Sequence, residues 1–158
     1  MLYVGLFIVA IGSGLFLYDY TLSLRRKAFE YREILSFLVY ARAEIEGSGK
    51  AIPKIVLEFL EKRGRGGESV ARALSSEAFR KADLSSLIIE KEDKERLASW
   101  LRELGFAQSR GEELGRLGAL ISVFEKKSEA VCDRTDKRIK SVALIYAASL
   151  LSAILLVI

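Results

Sequence analysis

The sequence predicts an all-α protein: a membrane-anchored helical bundle held between an N-terminal and a C-terminal transmembrane helix. Charge is confined to the middle of the chain. All 25 Lys and Arg residues lie between Arg25 and Lys140, and so does every one of the 21 acids except Asp19. Met1 to Tyr18 and Ser141 to Ile158 each hold ten Leu, Ile, Val or Phe residues, completed by Gly, Ala, Ser, Tyr and the first Met. Between these ends apolar residues recur at helical spacing. No run alternates with period two, so a sheet has no basis in the pattern.

The first element, residues 1–24, is the N-terminal span with its extension. Ten strongly apolar residues favour insertion by roughly 3–6 kcal/mol, and no charge within the run opposes it. Eighteen residues make about 27 Å of helix, slightly short of a hydrocarbon core of about 30 Å. Tyr18, Tyr20, Leu22 and Leu24 can lengthen the apolar face, with Asp19 at the boundary. A cleaved signal peptide would carry its cations before the apolar run. Here they follow it, as Arg25, Arg26 and Lys27.

The first span is expected to continue into a helix over 21–46, which contains neither Pro nor Gly. Tyr31, Ile34, Leu35, Leu38, Ala41 and Ile45 make one apolar face, and Gly47 and Gly49 end it. Pro53 opens a second helix, where its missing N–H costs nothing, with Ile52, Ile55, Val56, Phe59 and Leu60 in the stripe. Gly64-Arg65-Gly66-Gly67 breaks that helix as a flexible linker. It is not a phosphate loop, because no strand precedes it and no Lys stands before Ser69.

A third, weaker helix over Glu68 to Lys81 would bury Val70, Leu74 and either Ala78 or Phe79. A looser stretch runs from Asp83 to Lys91. A fourth helix buries Leu97, Trp100, Leu101 and Leu104 and stops at Gly105. Residues 112–140 form a long amphipathic helix with Leu114, Leu117, Ile121, Phe124 and Val131 inward and Glu125, Lys126, Lys127 and Asp133 outward. No breaker separates it from the second span, residues 141–158. Arg134, Lys137, Arg138 and Lys140 precede that span.

Short flanks rich in Lys and Arg stay on the cytoplasmic side. Both flanks therefore place residues 25–140 in the cytoplasm as the helical-bundle domain, with both termini outside the cytoplasm at the cell membrane. Within the spans, Ala10 and Gly14, Ala148 and Ser152, and Ser149 and Ala153 are four apart. Small residues at that spacing let helices approach closely in lipid, and they are also common in any apolar helix.

Catalytic chemistry has little to work with. There is no His, and Cys132 is the single Cys, expected as a packed, free thiol. Glu90, Glu92, Asp93 and Glu95 alternate with Lys91, Lys94 and Arg96 and read as a solvated helix face. No catalytic, cofactor-binding or metal-ligating residues are expected, and no cofactor. Neither nucleic acid nor a small-molecule substrate is an expected partner, because no basic stripe with interleaved aromatics lies away from the membrane flanks. No charged or amide residue lies within a span to carry ions or protons.

The order of elements resembles the stage III sporulation protein AB family along essentially the whole chain. Ala43-Glu44-Ile45-Glu46 closes the first cytoplasmic helix before a Pro-containing turn, and Leu104-Gly105 follows an amphipathic helix with Trp100. Lys137-Arg138-Ile139-Lys140 leads into a span ending Ile154-Leu155-Leu156-Val157-Ile158. Where the family shows Tyr-Gly and then Thr-Pro-Leu, this chain has Gly47-Ser48 and then Lys50-Ala51-Ile52-Pro53.

The resemblance implies a non-catalytic scaffold in a sporulation-specific, secretion-like channel complex in the mother-cell membrane facing the forespore. Its cytoplasmic domain would be similar to those of the platform proteins of type II secretion and type IV pilus systems. Implied partners are a cytoplasmic secretion-type ATPase, other sporulation channel membrane proteins and the lipid bilayer. Glu44, Ile45, Trp100, Leu104 and Gly105 become candidate partner or packing positions. The alternatives are an adaptor of another secretion or pilus-type system and a pore-forming protein.

Overall fold

The computed structural model describes residues 2–50, 52–63, 84–103 and 109–155, with side chains from 11 to 152 apart from those of 52, 53, 60, 62 and 63. The described residues are all-α: α1 is Leu2–Ser48, α2 Ile52–Arg63, α3 Lys91–Glu103 and α4 Arg110–Leu155, with a 3₁₀ turn at Leu84–Ser86. The expected linker at 64–67, the expected helix at 68–81 and the positions Leu104 and Gly105 lie outside the described residues.

Helix α1 runs without a break through the junction of the expected span and bundle, because nothing between Tyr18 and Glu46 interrupts the backbone ladder. It stops where Gly49 takes φ +64°, a left-handed conformation, and donates its N–H to the Ile45 carbonyl at 3.2 Å. Helix α4 starts on a serine N-cap. Ser109 Oγ accepts the Glu112 N–H at 3.2 Å, and Glu112 sits three residues on from the cap. It too continues without a break past Lys140.

The chain divides into two compact units. Unit 1 comprises 1–28 and 130–158, and unit 2 comprises 29–129. In unit 2 the core forms around α1. Tyr31, Ile34, Phe37, Leu38, Ala41 and Ile45 are buried there, with Ile55, Val56 and Phe59 from α2 and Leu97, Trp100 and Leu101 from α3. Leu117, Leu120 and Phe124 come from α4. Phe37 is the aromatic hub, edge-on to Phe59 at 5.4 Å and to Trp100 at 6.4 Å between ring centroids. Such pairs add about 0.5–1.5 kcal/mol beyond their buried area.

Two sequence expectations need correction in unit 2. The stretch before α3 is not loose. Leu84, Leu87 and Ile89 are all buried, since three apolar residues spaced along an irregular segment can line one side of it without any helical period. Asp93 is not on a solvated face either. It is 1% exposed. As the third residue of α3 its carboxylate favours the helix start, and the first turn of α3 faces α1.

In unit 1, a Cβ added to Gly14 would lie 3.2 Å from the Tyr146 hydroxyl oxygen, so the apolar ends of α1 and α4 run side by side. Contacts between α1 and α4 run in opposite order along the two helices, with Tyr31 against Phe124 and Arg42 Nη1 3.9 Å from a Cβ added to Gly118, so the two helices are antiparallel. Among the described residues no helix is long and apolar enough to cross a membrane. The described side chains cover only 11–18 of the first apolar run and 141–152 of the second.

Candidate functional site

Two regions carry chemistry, one in each unit. In unit 1 it is a surface. Leu15, Phe16, Leu144, Ile145 and Leu151 are all exposed, Phe16 at 74% and Leu144 at 72%. The neighbouring hydroxyls turn back on their own helices: Ser149 Oγ donates to the Ile145 carbonyl at 2.8 Å and Ser152 Oγ to the Ala148 carbonyl at 2.9 Å. Thr21 and Ser23 donate likewise to Tyr18 and Tyr20. A hydroxyl satisfied by its own backbone asks nothing of its surroundings.

Beyond the apolar length come the flanking cations. Arg25, Arg26, Arg134, Lys137, Arg138 and Lys140 are exposed and Lys27 is half-buried. Lys137 pairs with Asp133 at 2.7 Å, one turn back on the same helix. Both cationic flanks belong to unit 1, together with the apolar ends they border.

In unit 2 the region is a buried polar network centred on Tyr31. The Tyr31 hydroxyl donates to Asp93 Oδ2 at 2.6 Å and accepts the Glu90 N–H at 3.1 Å. Glu90 caps α3, its carbonyl accepting the Lys94 N–H at 3.0 Å. In an ordinary capping box the third helical residue would take the cap N–H directly. Here a tyrosine hydroxyl 62 positions from Asp93 is interposed, which ties the start of α3 to α1. One residue earlier on α1, Glu30 Oε2 accepts the Ile88 N–H. Lys127 from α4 closes the group, with Nζ 2.7 Å from Glu90 Oε2 and 3.6 Å from Asp93 Oδ2.

The electrostatics follow from this packing. Burial, and then the hydrogen bond to Asp93, pushes the Tyr31 hydroxyl well above the usual phenol range. It therefore stays protonated and keeps donating. The Glu90 hydrogen bond raises Lys127 above the ordinary lysine range. Asp93 Oδ1 is buried and accepts no hydrogen bond among the described residues. The network holds four segments together.

The sequence-derived positions fall as follows. Glu44 forms a bridge, since Lys50 Nζ lies 2.9 Å from it and 2.7 Å from Glu58, joining the end of α1 to α2. Hydrogen bonding to Lys50 lowers both carboxyls, and the same contacts, Glu58 first, raise Lys50. Ile45 and Trp100 are core residues. Of the expected inward positions, Leu35, Leu114 and Ile121 are half-buried rather than buried. Cys132 is half-exposed and forms no disulfide. Glu30, Tyr31, Glu33 and Asp93 as a buried polar group were not foreseen. The one local signal was acidic residues in the first turn of α3.

No protein-family model, no curated protein and no solved structure matches the chain.

Proposed function

We propose that the chain is a two-span, membrane-anchored helical adaptor: unit 1 is held by the bilayer, and unit 2 presents a rigid helical surface to other proteins in the cytoplasm. The observation that carries this reading is the pair of adjacent helix ends whose large apolar side chains point outward. Leu15, Phe16, Leu144, Ile145 and Leu151 would expose an apolar surface to water, which costs about 25 cal/mol per Å². Lipid removes that cost. The self-satisfied hydroxyls beside them suit an apolar surrounding, and the cations bordering them on one side set the orientation.

The role within a complex rests on the resemblance to the stage III sporulation protein AB family. On that basis the protein is a non-catalytic scaffold linking a cytoplasmic secretion-type ATPase to membrane channel subunits during endospore formation. The absence of His and the single Cys support a binding role over catalysis. The experiment is co-purification of the full chain, solubilised in mild detergent, with the secretion-type ATPase of the same cell. ATP hydrolysis is measured for each protein alone and for the pair. Retention of the ATPase with no turnover by the chain alone is expected. ATP turnover by the chain alone would sink the scaffold reading.

A further inference from the structure

The Gly14–Tyr146 contact brings these levels of the two antiparallel ends within a tyrosine's reach, so a residue on α1 is level, to within about one turn, with the α4 residue whose number complements it to 160. The midpoints of the two 18-residue apolar runs, between residues 9 and 10 and between 149 and 150, complement to almost the same value. Packing and hydropathy thus place the same level of both helices at the bilayer centre. At 1.5 Å per residue, Lys140 then lies about 14 Å from that centre and Arg138 about 17 Å. Arg134, Arg25 and Arg26 lie at about 23–25 Å. The headgroup layer of a bilayer begins about 15 Å from the centre and ends at about 22 Å.

We infer that these five exposed cations form a phosphate-binding collar selective for anionic phospholipid over zwitterionic lipid. By backbone height only Arg138 lies within the headgroup layer; Lys140 lies about 1 Å below its inner edge, and Arg134, Arg25 and Arg26 lie about 1–3 Å beyond its outer edge. The cations come from both helices, and a long flexible cation can reach phosphates slightly above or below its own backbone. The acids nearby are Asp19, Asp133 and Asp136, and Asp133 is already engaged by Lys137 at 2.7 Å. The collar keeps a clear cationic excess. Each such cation near an anionic leaflet adds attraction that salt weakens.

The inference rests on the membrane reading, and one experiment separates the two. The full chain is reconstituted in phosphatidylcholine vesicles containing a trace of spin-labelled phosphatidylcholine or spin-labelled phosphatidylglycerol. The motionally restricted fraction of each label is read by electron paramagnetic resonance. A restricted fraction with neither label would overturn the membrane reading itself. With insertion secured, phosphatidylglycerol should associate at least threefold more strongly than phosphatidylcholine. The preference should fall with added sodium chloride and approach unity in the R25Q/R26Q/R134Q/R138Q/K140Q variant. The R25K/R26K/R134K/R138K variant should retain it.

Equal association of the two labels, or a preference that survives the glutamine substitutions, would refute the collar. Inorganic phosphate at matched ionic strength provides the last arm. If it abolishes the preference where chloride only reduces it, the cations hold free phosphate and the lipid assignment fails.

Discussion

The Tyr31 hydroxyl gives one hydrogen bond to Asp93 and receives another from the Glu90 N–H, so removing that oxygen takes a hydrogen bond from each of two groups in a buried network. Tyr31→Phe is therefore expected to destabilise the fold by about 1–3 kcal/mol, the cost of taking a hydrogen-bond partner from buried polar groups. Denaturant unfolding of the full chain in detergent measures it, and a change within about 0.5 kcal/mol would remove the network from the list of what holds the fold. The same residue gives a pH signature. Its hydroxyl binds a proton more tightly folded than unfolded, so between the two pKa values the unfolded state carries fewer protons. Stability is then fully present below about pH 10 and falls as pH rises above it. Lys127, also raised, adds a decline of the same sign. Unfolding midpoints at pH 8 to 10.5 should drop for the wild type and drop less for Tyr31→Phe; parallel curves would contradict the assignment. None of this was legible in the sequence. An acid among lysines reads as solvated, and the partner that buries Asp93 is 62 residues away.

Helix ends and helix faces were legible to different degrees. The end of α1 was, because glycine tolerates φ +64° and most residues do not. A Cβ at Gly49 would meet nothing within 4 Å, so substitution there tests backbone conformation alone. Gly49→Ala is expected to cost about 1–2 kcal/mol and Gly49→Asn clearly less, since Asn visits the left-handed region more readily. Equal thermal midpoints for the two variants would mean that the turn relaxes to another conformation. The inward face of α1 was legible only in part. Tyr31, Ile34, Leu38, Ala41 and Ile45 follow one stripe, but Glu30, Glu33 and Phe37 are buried beside it. A single stripe describes a helix covered from one side, whereas α1 contacts partners over a wider arc: Phe59 and Trp100 meet Phe37, and Phe124 meets Tyr31. Periodicity reports that a face exists and not how many neighbours it has.

At the scale of the molecule, the sequence placed charge between two apolar ends, and the described residues add that those ends lie against each other in one unit. That proximity constrains topology. If they enter a bilayer as proposed, two antiparallel helices side by side, each with cations at the same end, enter it from the same face. On the proposed membrane reading, the positive flanks would make that face the cytoplasmic one. The prediction is tested on the full chain with Cys132→Ser as background, so that no native thiol competes. A membrane-impermeant maleimide applied to intact cells should label a cysteine appended after Ile158 and fail to label Gly66→Cys. After permeabilisation it should label both. Labelling of Gly66→Cys in intact cells would invert the orientation. Labelling of neither site before permeabilisation would place the C-terminus inside, remove the second span and leave Leu144, Ile145 and Leu151 as a docking surface for protein rather than lipid. A label confined to the position after Ile158 means that the second apolar run crosses the bilayer with the middle of the chain behind it, since a chain that does not cross there cannot expose its C-terminus while hiding residue 66.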